Sequence, residues 1–273
     1  MQIRCRQFVV QDKKIGLVPT MGFLHDGHLS LVKTARLYAD IVVATIFVNP
    51  AQFAPHEDFD RYPRDEKGDL AKLKMAGADI VFIPRVQDIY PPDFQTSVTV
   101  DKITGILEGI SRPGHFKGVT TIVAKLFNII RPDLAVFGMK DFQQATVLKK
   151  MVNDLDYPIK MIIASTVREK DGLAMSSRNK YFNPDQRKKA VCLHHALVSA
   201  KKMVKNDKIS NPKLLKNRMI QIIKDICPTA NIDYIAFTDP VTLAAMKQIK
   251  PGCICSLAVR LYKVRLIDNM KLL

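Results

Sequence analysis

Residues 15–32 read IGLVPTMGFLHDGHLSLV and predict a strand, a loop with two glycines and the start of a helix. The apolar run Ile15–Val18 is typical of a buried strand, and an amphipathic helix is expected to begin near Leu29. The two glycines allow the main chain to approach a ligand closely. Because a helix N-terminus offers free N–H groups and a positive dipole end, it favours phosphate oxygens. This stretch therefore predicts a phosphate-binding unit.

Two histidines, His25 and His28, lie three residues apart in the same loop. Imidazoles there can donate hydrogen bonds to an anion and stabilise charge that builds up when a nucleophile attacks the α-phosphorus of a nucleotide. A histidine pair at this spacing also occurs as a helix cap, as a core pair or as half of a metal site. The preceding strand and the glycines favour the nucleotide-binding interpretation.

The rest of the first two-thirds of the chain alternates strand-like and helical runs. Further strands are predicted at residues 41–48, 79–83, 134–137 and 161–167, and helices at residues 29–39, 70–76, 119–130 and 142–152. This alternation predicts an α/β fold, a Rossmann-like doubly wound parallel sheet spanning residues 1–167.

The pattern changes after Val167. A basic helical region and strands at residues 232–238, 253–261 and 264–267 predict a second, smaller α/β domain, residues 168–273, which is expected to close over the active site.

The composition is that of a globular protein with a strongly basic charge. Hydrophobic residues make up 47% and charged residues 25%, and the formal net charge is +16. Such a charge favours an anionic partner, which includes nucleic acid, a membrane surface and phosphorylated small molecules. Between Arg187 and Lys224 the one acidic residue is Asp207, so this basic region is expected to be a solvated helix face.

Several classes of protein are disfavoured by the sequence. No apolar run reaches the roughly 18 to 20 residues of a membrane span and no secretion signal follows Met1, so a cytoplasmic protein without a membrane partner is expected. The five cysteines form no CxxC pair. They are expected to be core thiols, with neither a disulfide framework nor a protein-held metal site.

Polar segments follow the other strand ends, where ligands bind in such sheets. Gln52 lies among aromatic residues and can both donate to and accept from a small hydroxy acid. Lys140 can neutralise phosphate charge, Asp141 can cap a helix or hold a ribose hydroxyl, and Gln144 lies one helical turn further on. Ser176–Arg178, at the domain junction, can close over a triphosphate. The alternatives are a surface glutamine, a surface Lys–Asp pair and an ordinary linker.

Taken in order, these segments resemble the pantothenate synthetase (pantoate–β-alanine ligase) family of the His-x-Gly-His nucleotidylyltransferase superfamily. The resemblance covers essentially the whole chain. Its motifs are PTMGFLHDGH at 19–28, IFVNPAQF at 46–53, EGISRPGHFKGV at 108–119, FGMKDFQQ at 137–144 and LAMSSRN at 173–179. The glycine-containing turn Arg112–Phe116 within the third motif is expected to line the same cleft.

The resemblance implies a role for each matching residue. Catalysis is implied for His28, His25 and Lys140, and pantoate binding for Gln52 and Gln144, with Gln52 also meeting β-alanine. ATP contacts are implied for Met21, Gly22, Phe23, Leu24, His25, Asp26, Gly27, His28, Gly138, Met139, Lys140, Asp141, Val167, Met175, Ser176, Ser177 and Arg178. The family usually has Glu where this chain has Met139, which changes little if that position contributes main-chain contacts.

The resemblance also implies the reaction. The pantoate carboxylate attacks Mg-ATP to give a pantoyl-adenylate and pyrophosphate, and the amine of β-alanine then displaces AMP. Mg²⁺ is expected to bind chiefly to phosphate oxygens, and a homodimer is implied.

Two rival functions are disfavoured. Another nucleotidylyltransferase, with a phosphorylated acceptor, does not need the segments of Gln52 and Gln144. An RNA-binding protein fits the charge, but no aromatic-interleaved RNA motif is present, so no nucleic-acid partner is expected.

Overall fold

The computed structural model describes residues 1–55 and 57–273. Two compact units are present. The first contains residues 1–139 and 143–165, and the second contains residues 140–142 and 166–273.

The first unit is built on a five-stranded parallel sheet. Its strands are β1 (Ile15–Thr20), β2 (Ile41–Ile46), β3 (Ile80–Phe82), β4 (Leu134–Gly138) and β5 (Lys160–Ala164). They lie side by side in the order β3-β2-β1-β4-β5, with every pairing parallel. The chain thus leaves the central β1 first to one side and then to the other, which confirms the doubly wound topology.

Helices cover both faces of this sheet. They are α1 (Gln2–Val10), α2 (Asp26–Arg36), α3 (Glu66–Ala76), α4 (Val86–Ile89), α5 (Glu108–Ser111), α6 (His115–Ile130) and α7 (Phe142–Asp154). In β1, Leu17 packs into a core with Phe127 of α6, whereas the next residue, Val18, packs into a core with Val32 of α2. Successive side chains of a strand point to opposite faces of the sheet. Both faces are apolar because each is covered by helices.

Three helix starts differ from the sequence prediction, and one of them is that of α3, which begins at Glu66 rather than Leu70. The helix after β1 begins at Asp26 rather than near Leu29, so His28 lies in its first turn. The helix expected from residue 119 begins at His115, directly after Gly114, whose φ is +81°. Glycines weaken the helical signal in the first turns of α2 and α6. Helices α2 and α6 therefore begin earlier in the sequence than the composition of their first turns indicates.

The second unit contains an antiparallel sheet and three helices. Helices α8 (Pro184–Lys189), α9 (Cys192–Lys205) and α10 (Pro212–Ile226) precede β6 (Asn231–Thr238), β7 (Ile254–Leu261) and β8 (Val264–Lys271), which pair in the order β6-β7-β8. The predicted smaller α/β domain is confirmed. Basic side chains of α9 and α10, among them Lys205, Lys213 and Lys216, are exposed, as expected for a solvated face.

The five cysteines are free and buried, which confirms the prediction of core thiols. None of the helices in the described part of the chain is both long enough and apolar enough to cross a membrane.

Candidate functional site

The loop Met21–His25, named here the signature loop, connects the carboxyl end of β1 to α2. Gly22 and Phe23 have φ values of +82° and +51°. A Cβ added to Gly22 would lie 3.1 Å from Oδ2 of Asp69 and 3.0 Å from Ile46. A left-handed backbone and tight surroundings together require glycine at this position.

The carboxylate of Asp69 holds the signature loop from behind. It lies on α3, is 1% exposed, and accepts hydrogen bonds from the N–H of Phe23 at 2.6 Å and of Leu24 at 2.7 Å. Lys72, one turn further along α3, donates to the carbonyl of Leu24 at 3.0 Å. The N–H groups of Phe23 and Leu24 are therefore already paired with Asp69. Sequence reasoning missed Asp69 because it lies 46 residues from Phe23.

The structure brings His25 and His28 together at the N-terminus of α2. His25 is the N-cap residue, and the two imidazole centroids are 4.0 Å apart. Nδ1 of His28 accepts the N–H of His25 at 3.4 Å. A neutral imidazole that accepts at Nδ1 carries its proton on Nε2. His28 therefore presents an N–H donor, on Nε2, beside the positive end of the helix dipole.

Gln52 lies at the end of the neighbouring strand, in the 3-10 turn Pro50–Gln52 that follows β2. The residue is 8% exposed, and its side-chain amide contacts two other residues. Nε2 donates to Sδ of Met21 at 2.9 Å, and Oε1 accepts from Nδ2 of Asn49 at 3.1 Å. The predicted residues Met21 and Gln52 thus meet where the parallel strands β1 and β2 end.

Asn49 is a residue whose role sequence reasoning missed. It is 1% exposed, and its Oδ1 accepts the hydroxyl of Tyr90 at 2.8 Å. Burial, partly offset by this hydrogen bond, raises the pKa of Tyr90 to about 12, so the hydroxyl stays protonated and donates. In the sequence, the only indication of this role is that Asn49 is a polar residue within an apolar run.

Two adjacent glutamines follow β4, and their environments differ. Gln143 is buried, donates to the carbonyls of Ile103 and Ile106, and accepts the N–H of Glu108. Gln144 is half-buried on the same helix, α7. Because the amide of Gln143 is committed to the preceding loop, Gln144 is the better candidate for contact with a ligand.

Gly138 ends β4 and Met139 follows it in the first unit, whereas the other remaining predicted site residues belong to the second unit. Nζ of Lys140 lies 3.7 Å from Asp141, and the carbonyl of Lys140 accepts Nδ2 of Asn269 at 2.9 Å. The N–H of Met175 donates to the carbonyl of Val167 at 3.1 Å. These contacts bring Val167 and Met175 together within that unit.

The segment Ser176–Arg178 forms the start of a 3-10 turn, Ser177–Tyr181. Oγ of Ser176 accepts the N–H of Arg178 at 3.3 Å. Asn179 donates to Glu169, which in turn pairs with Arg187 at 2.7 Å. Side chains from outside the motif therefore hold this turn.

The first unit thus brings together an imidazole pair at a helix N-terminus and a cluster of amides and a thioether at the next strand end. In residues 1–55 and 57–273 no cluster of three or more His, Cys, Asp or Glu side chains is placed to hold a metal ion. The arrangement can bind an anion at α2 and a small polar molecule at Gln52.

Comparison with known proteins shows which proteins this chain is similar to in sequence. The sequence model of the family described as pantoate-beta-alanine ligase matches residues 1–271. A pantothenate synthetase of Thermoanaerobacter sp. (strain X514) is 51% identical over 261 residues, covering 96% of this chain and 92% of that protein. One from Geobacter sulfurreducens is 48% identical over 269 residues, covering 98% and 94%.

Solved structures agree with the sequence comparison. The crystal structure of pantothenate synthetase from Thermus thermophilus has a TM-score of 0.92 and 43% identity, covering 95% of this chain and 93% of that one. The pantoate-beta-alanine ligase of Francisella tularensis, complexed with beta-gamma ATP and beta-alanine, has a TM-score of 0.75 and 34% identity, covering 98% and 95%.

Proposed function

Because this chain belongs to the pantoate-beta-alanine ligase family and so joins pantoate to β-alanine with ATP to form pantothenate, we propose that a pantoyl-adenylate forms at its signature loop. One observation carries this proposal. His25 and His28 meet at the N-terminus of α2, directly after the central strand β1.

The first step is adenylate formation. A carboxylate oxygen of pantoate attacks the α-phosphorus of ATP, a new P–O bond forms, and the bond to the β-phosphate oxygen breaks as pyrophosphate leaves. Negative charge builds up on the phosphate oxygens during this displacement. The Nε2 proton of His28, together with His25 and the helix dipole of α2, stabilises that charge without forming a covalent intermediate with the protein.

The second step is amide formation. The amine of β-alanine attacks the acyl carbon of the adenylate, loses a proton, and AMP leaves with the electrons of the broken C–O bond. Because water would attack the same carbon, the adenylate must be shielded until the amine arrives. Closure of residues 168–273 over the site is the means that we propose for this shielding.

Pantoate binding is assigned to Gln52 and Gln144. Gln52 offers an N–H donor and a carbonyl acceptor, which suit a molecule with hydroxyl groups and a carboxylate. Its partners Met21 and Asn49 hold the amide in place beside the signature loop. Gln52 is also the residue that we assign to β-alanine.

ATP contacts beyond α2 are proposed from the family motifs alone. They comprise the main chain at Gly138 and Met139 and the side chains of Lys140 and Asp141. On the same ground, Val167 contacts the nucleotide, and Ser176–Arg178, preceded by Met175, bind the phosphates. Met139 replaces the usual Glu at a position where a main-chain contact suffices.

Mg²⁺ enters this scheme as part of the substrate, Mg-ATP. Magnesium keeps most of its water ligands and commonly binds through one or two carboxylates and the phosphates of a nucleotide. We therefore assign its binding chiefly to phosphate oxygens. Titration of pyrophosphate release with MgCl₂ at fixed ATP tests this assignment, because activity should follow the concentration of Mg-ATP.

The ligase scheme is tested by omitting each substrate in turn. Purified protein is incubated with Mg-ATP, pantoate and β-alanine, and pyrophosphate, AMP and pantothenate are measured, the last by mass spectrometry. The scheme requires a burst of pyrophosphate with pantoate alone, and steady release of AMP with both acids. Release of ADP and phosphate instead would contradict an adenylate.

We also propose, from the family resemblance, that the chain forms a homodimer and works in the cytoplasm. Sedimentation equilibrium of the purified protein tests the dimer, since a single species of 30.8 kDa would contradict it. Fractionation of the source cells tests the location.

A further inference from the structure

The segment Arg112–Gly118 lies against the turn that carries Gln52. A Cβ added to Gly118, at the end of the first turn of α6, would lie 2.2 Å from the carbonyl oxygen of Ala51 and 2.6 Å from the nitrogen of Gln52. The carbonyl of Gly118 itself accepts Nδ2 of Asn49 at 3.1 Å. The main chain of α6 is therefore in direct contact with the Gln52 turn, and only glycine fits at the contact.

His115 links α6 to the main-chain carbonyl of Gln52. It is 8% exposed, with Nδ1 2.8 Å from that carbonyl oxygen and Nε2 3.0 Å from Nη1 of Arg112. A guanidinium can only donate, so Nε2 accepts from Arg112 and the imidazole proton is on Nδ1. His115 therefore donates to Gln52 with a tautomer that Arg112 fixes.

Arg112 is in turn held by Glu57. The guanidinium donates to both carboxylate oxygens of Glu57, at 2.6 and 2.8 Å, and its Nη2 lies 3.3 Å from the carbonyl oxygen of Gln52. Both side chains of the ion pair are mostly buried, at 19% and 17% exposed. A two-point pair of this kind fixes the plane of the guanidinium as well as its position.

The neutral state of His115 belongs to the same arrangement. Burial, followed by the charge of Arg112, lowers the pKa of His115 to about 4. Around neutral pH the ring is uncharged, as its acceptor role at Nε2 requires.

We propose that Arg112 and His115 are positioning residues for pantoate binding, which act by holding the main-chain carbonyl of Gln52 so that its side-chain amide faces the substrate. This inference rests on the proposed function, because Gln52 must bind pantoate for its orientation to matter. Neither residue needs to touch substrate. The RPGHFKG segment of the sequence thereby acquires a definite role.

The test compares His115→Leu, which removes the donor, with His115→Asn, whose amide can place an N–H where Nδ1–H lies. Loss of a buried hydrogen bond should raise the KM for pantoate about tenfold in His115→Leu, with the KM for ATP changed less than about twofold. His115→Asn should recover most of the affinity. Lys117→Ala, exposed on the same turn, is the control and should leave both constants unchanged.

A double-mutant cycle with Gln52→Ala separates positioning from general destabilisation. If His115 acts through Gln52, His115→Leu should add no further rise in the KM for pantoate once Gln52 is alanine. Additive effects would overturn the inference. Arg112→Lys, which keeps the charge but loses the fork, should give a smaller rise of about threefold and serves if His115→Leu does not fold by circular dichroism.

Different results would contradict the role of Gln52 in pantoate binding and the positioning role of Arg112 and His115. If Gln52→Ala raises the KM for pantoate but His115→Leu and Arg112→Lys do not, the inference fails and the role of Gln52 stands. If Gln52→Ala leaves that KM unchanged, the proposed role of Gln52 fails and the inference fails with it.

Discussion

The signature loop and the Gln52 turn follow adjacent strands of one sheet, yet opposite chemistry holds them in place. A buried carboxylate, Asp69 of α3, pairs with N–H groups of the signature loop. A neutral imidazole and a guanidinium from the α6 region pair with the carbonyl of the Gln52 turn. In both regions the main chain is held by a side chain from an element distant in the sequence.

The difference suits the two proposed ligands. A loop that binds triphosphate gains from imidazole N–H donors at the helix N-terminus, while Asp69 accepts the main-chain N–H groups of Phe23 and Leu24. A turn intended for a hydroxy acid gains from an amide that can both donate and accept. Loss of the contacts that hold the signature loop should therefore lower kcat. Loss of the contacts that hold the Gln52 turn should raise the KM for pantoate.

The largest effect is expected for His28→Ala. Loss of the Nε2 donor should reduce the burst rate of pyrophosphate formation about thousandfold, a size typical of removing one transition-state donor. Calorimetry should show ATP binding largely retained. A wild-type burst would show that the imidazole pair is not where the charge develops.

Asp69→Asn should also slow adenylate formation, but indirectly. An amide can accept from one loop N–H but not satisfy both, and a small displacement of the two histidines should lower kcat about a hundredfold. Asp65→Ala is the matched control, because Asp65 caps the same helix through the N–H of Gly68 at 3.1 Å.

Asp65→Ala should cost about 1 kcal/mol of stability without changing kcat. If both variants lose stability but neither loses kcat, Asp69 supports only the fold and not the catalytic geometry.

Acid should weaken the Gln52 support. His115 has a pKa of about 4 when folded and about 6.5 when unfolded, so the unfolded chain binds more protons between these values. Stability is therefore full above pH 6.5 and is lost as the pH falls towards 4, by about 2 kcal/mol between pH 7 and pH 5. Urea unfolding at the two pH values, compared with His115→Asn, measures this loss.

Glu57 adds to the acid sensitivity at lower pH. Burial alone would raise the pKa of Glu57, but the hydrogen bonds and charge of Arg112 outweigh it and leave that pKa below its ordinary value. Its contribution to stability is lost as the pH falls through the lowered pKa. An unchanged pH dependence in His115→Asn would contradict the assignment of the pH 5 to 7 loss to His115.

A smaller effect than that of His28→Ala is expected for Gln52→Ala, with a KM for pantoate raised about tenfold, in keeping with one or two lost hydrogen bonds. The KM for ATP should change less. Steady-state kinetics with each substrate varied in turn measures both, and an equal rise for ATP would remove the distinction between the two regions.

From the sequence we named the residues that are proposed to contact ATP and pantoate and placed the turn Arg112–Phe116 at the same cleft, but we missed Asp69 and the hydrogen bonds that hold the two loops. The doubly wound sheet, the meeting of His25 with His28 and that of Met21 with Gln52 follow from local patterns, because the ends of parallel strands converge. Asp69 and His115 lie 46 and 63 residues from the groups they hold. No local spacing indicates such a pair.

The sequence-based prediction also missed helix α1 and the first residues of α2. Helix α1 was not predicted because it offers no apolar stripe, and its one buried residue is Cys5. The early start of α2 depends on Asp26 and Gly27, which have low helix propensity and rely on the fixed loop before them.

We propose that the adenylate forms on the signature loop before β-alanine takes part. Exchange of labelled pyrophosphate into ATP, measured with pantoate and without β-alanine, tests it most directly. Exchange should require pantoate and should be nearly abolished in His28→Ala. Exchange that appears only when β-alanine is added, or none at all from an enzyme that makes pantothenate, would contradict it.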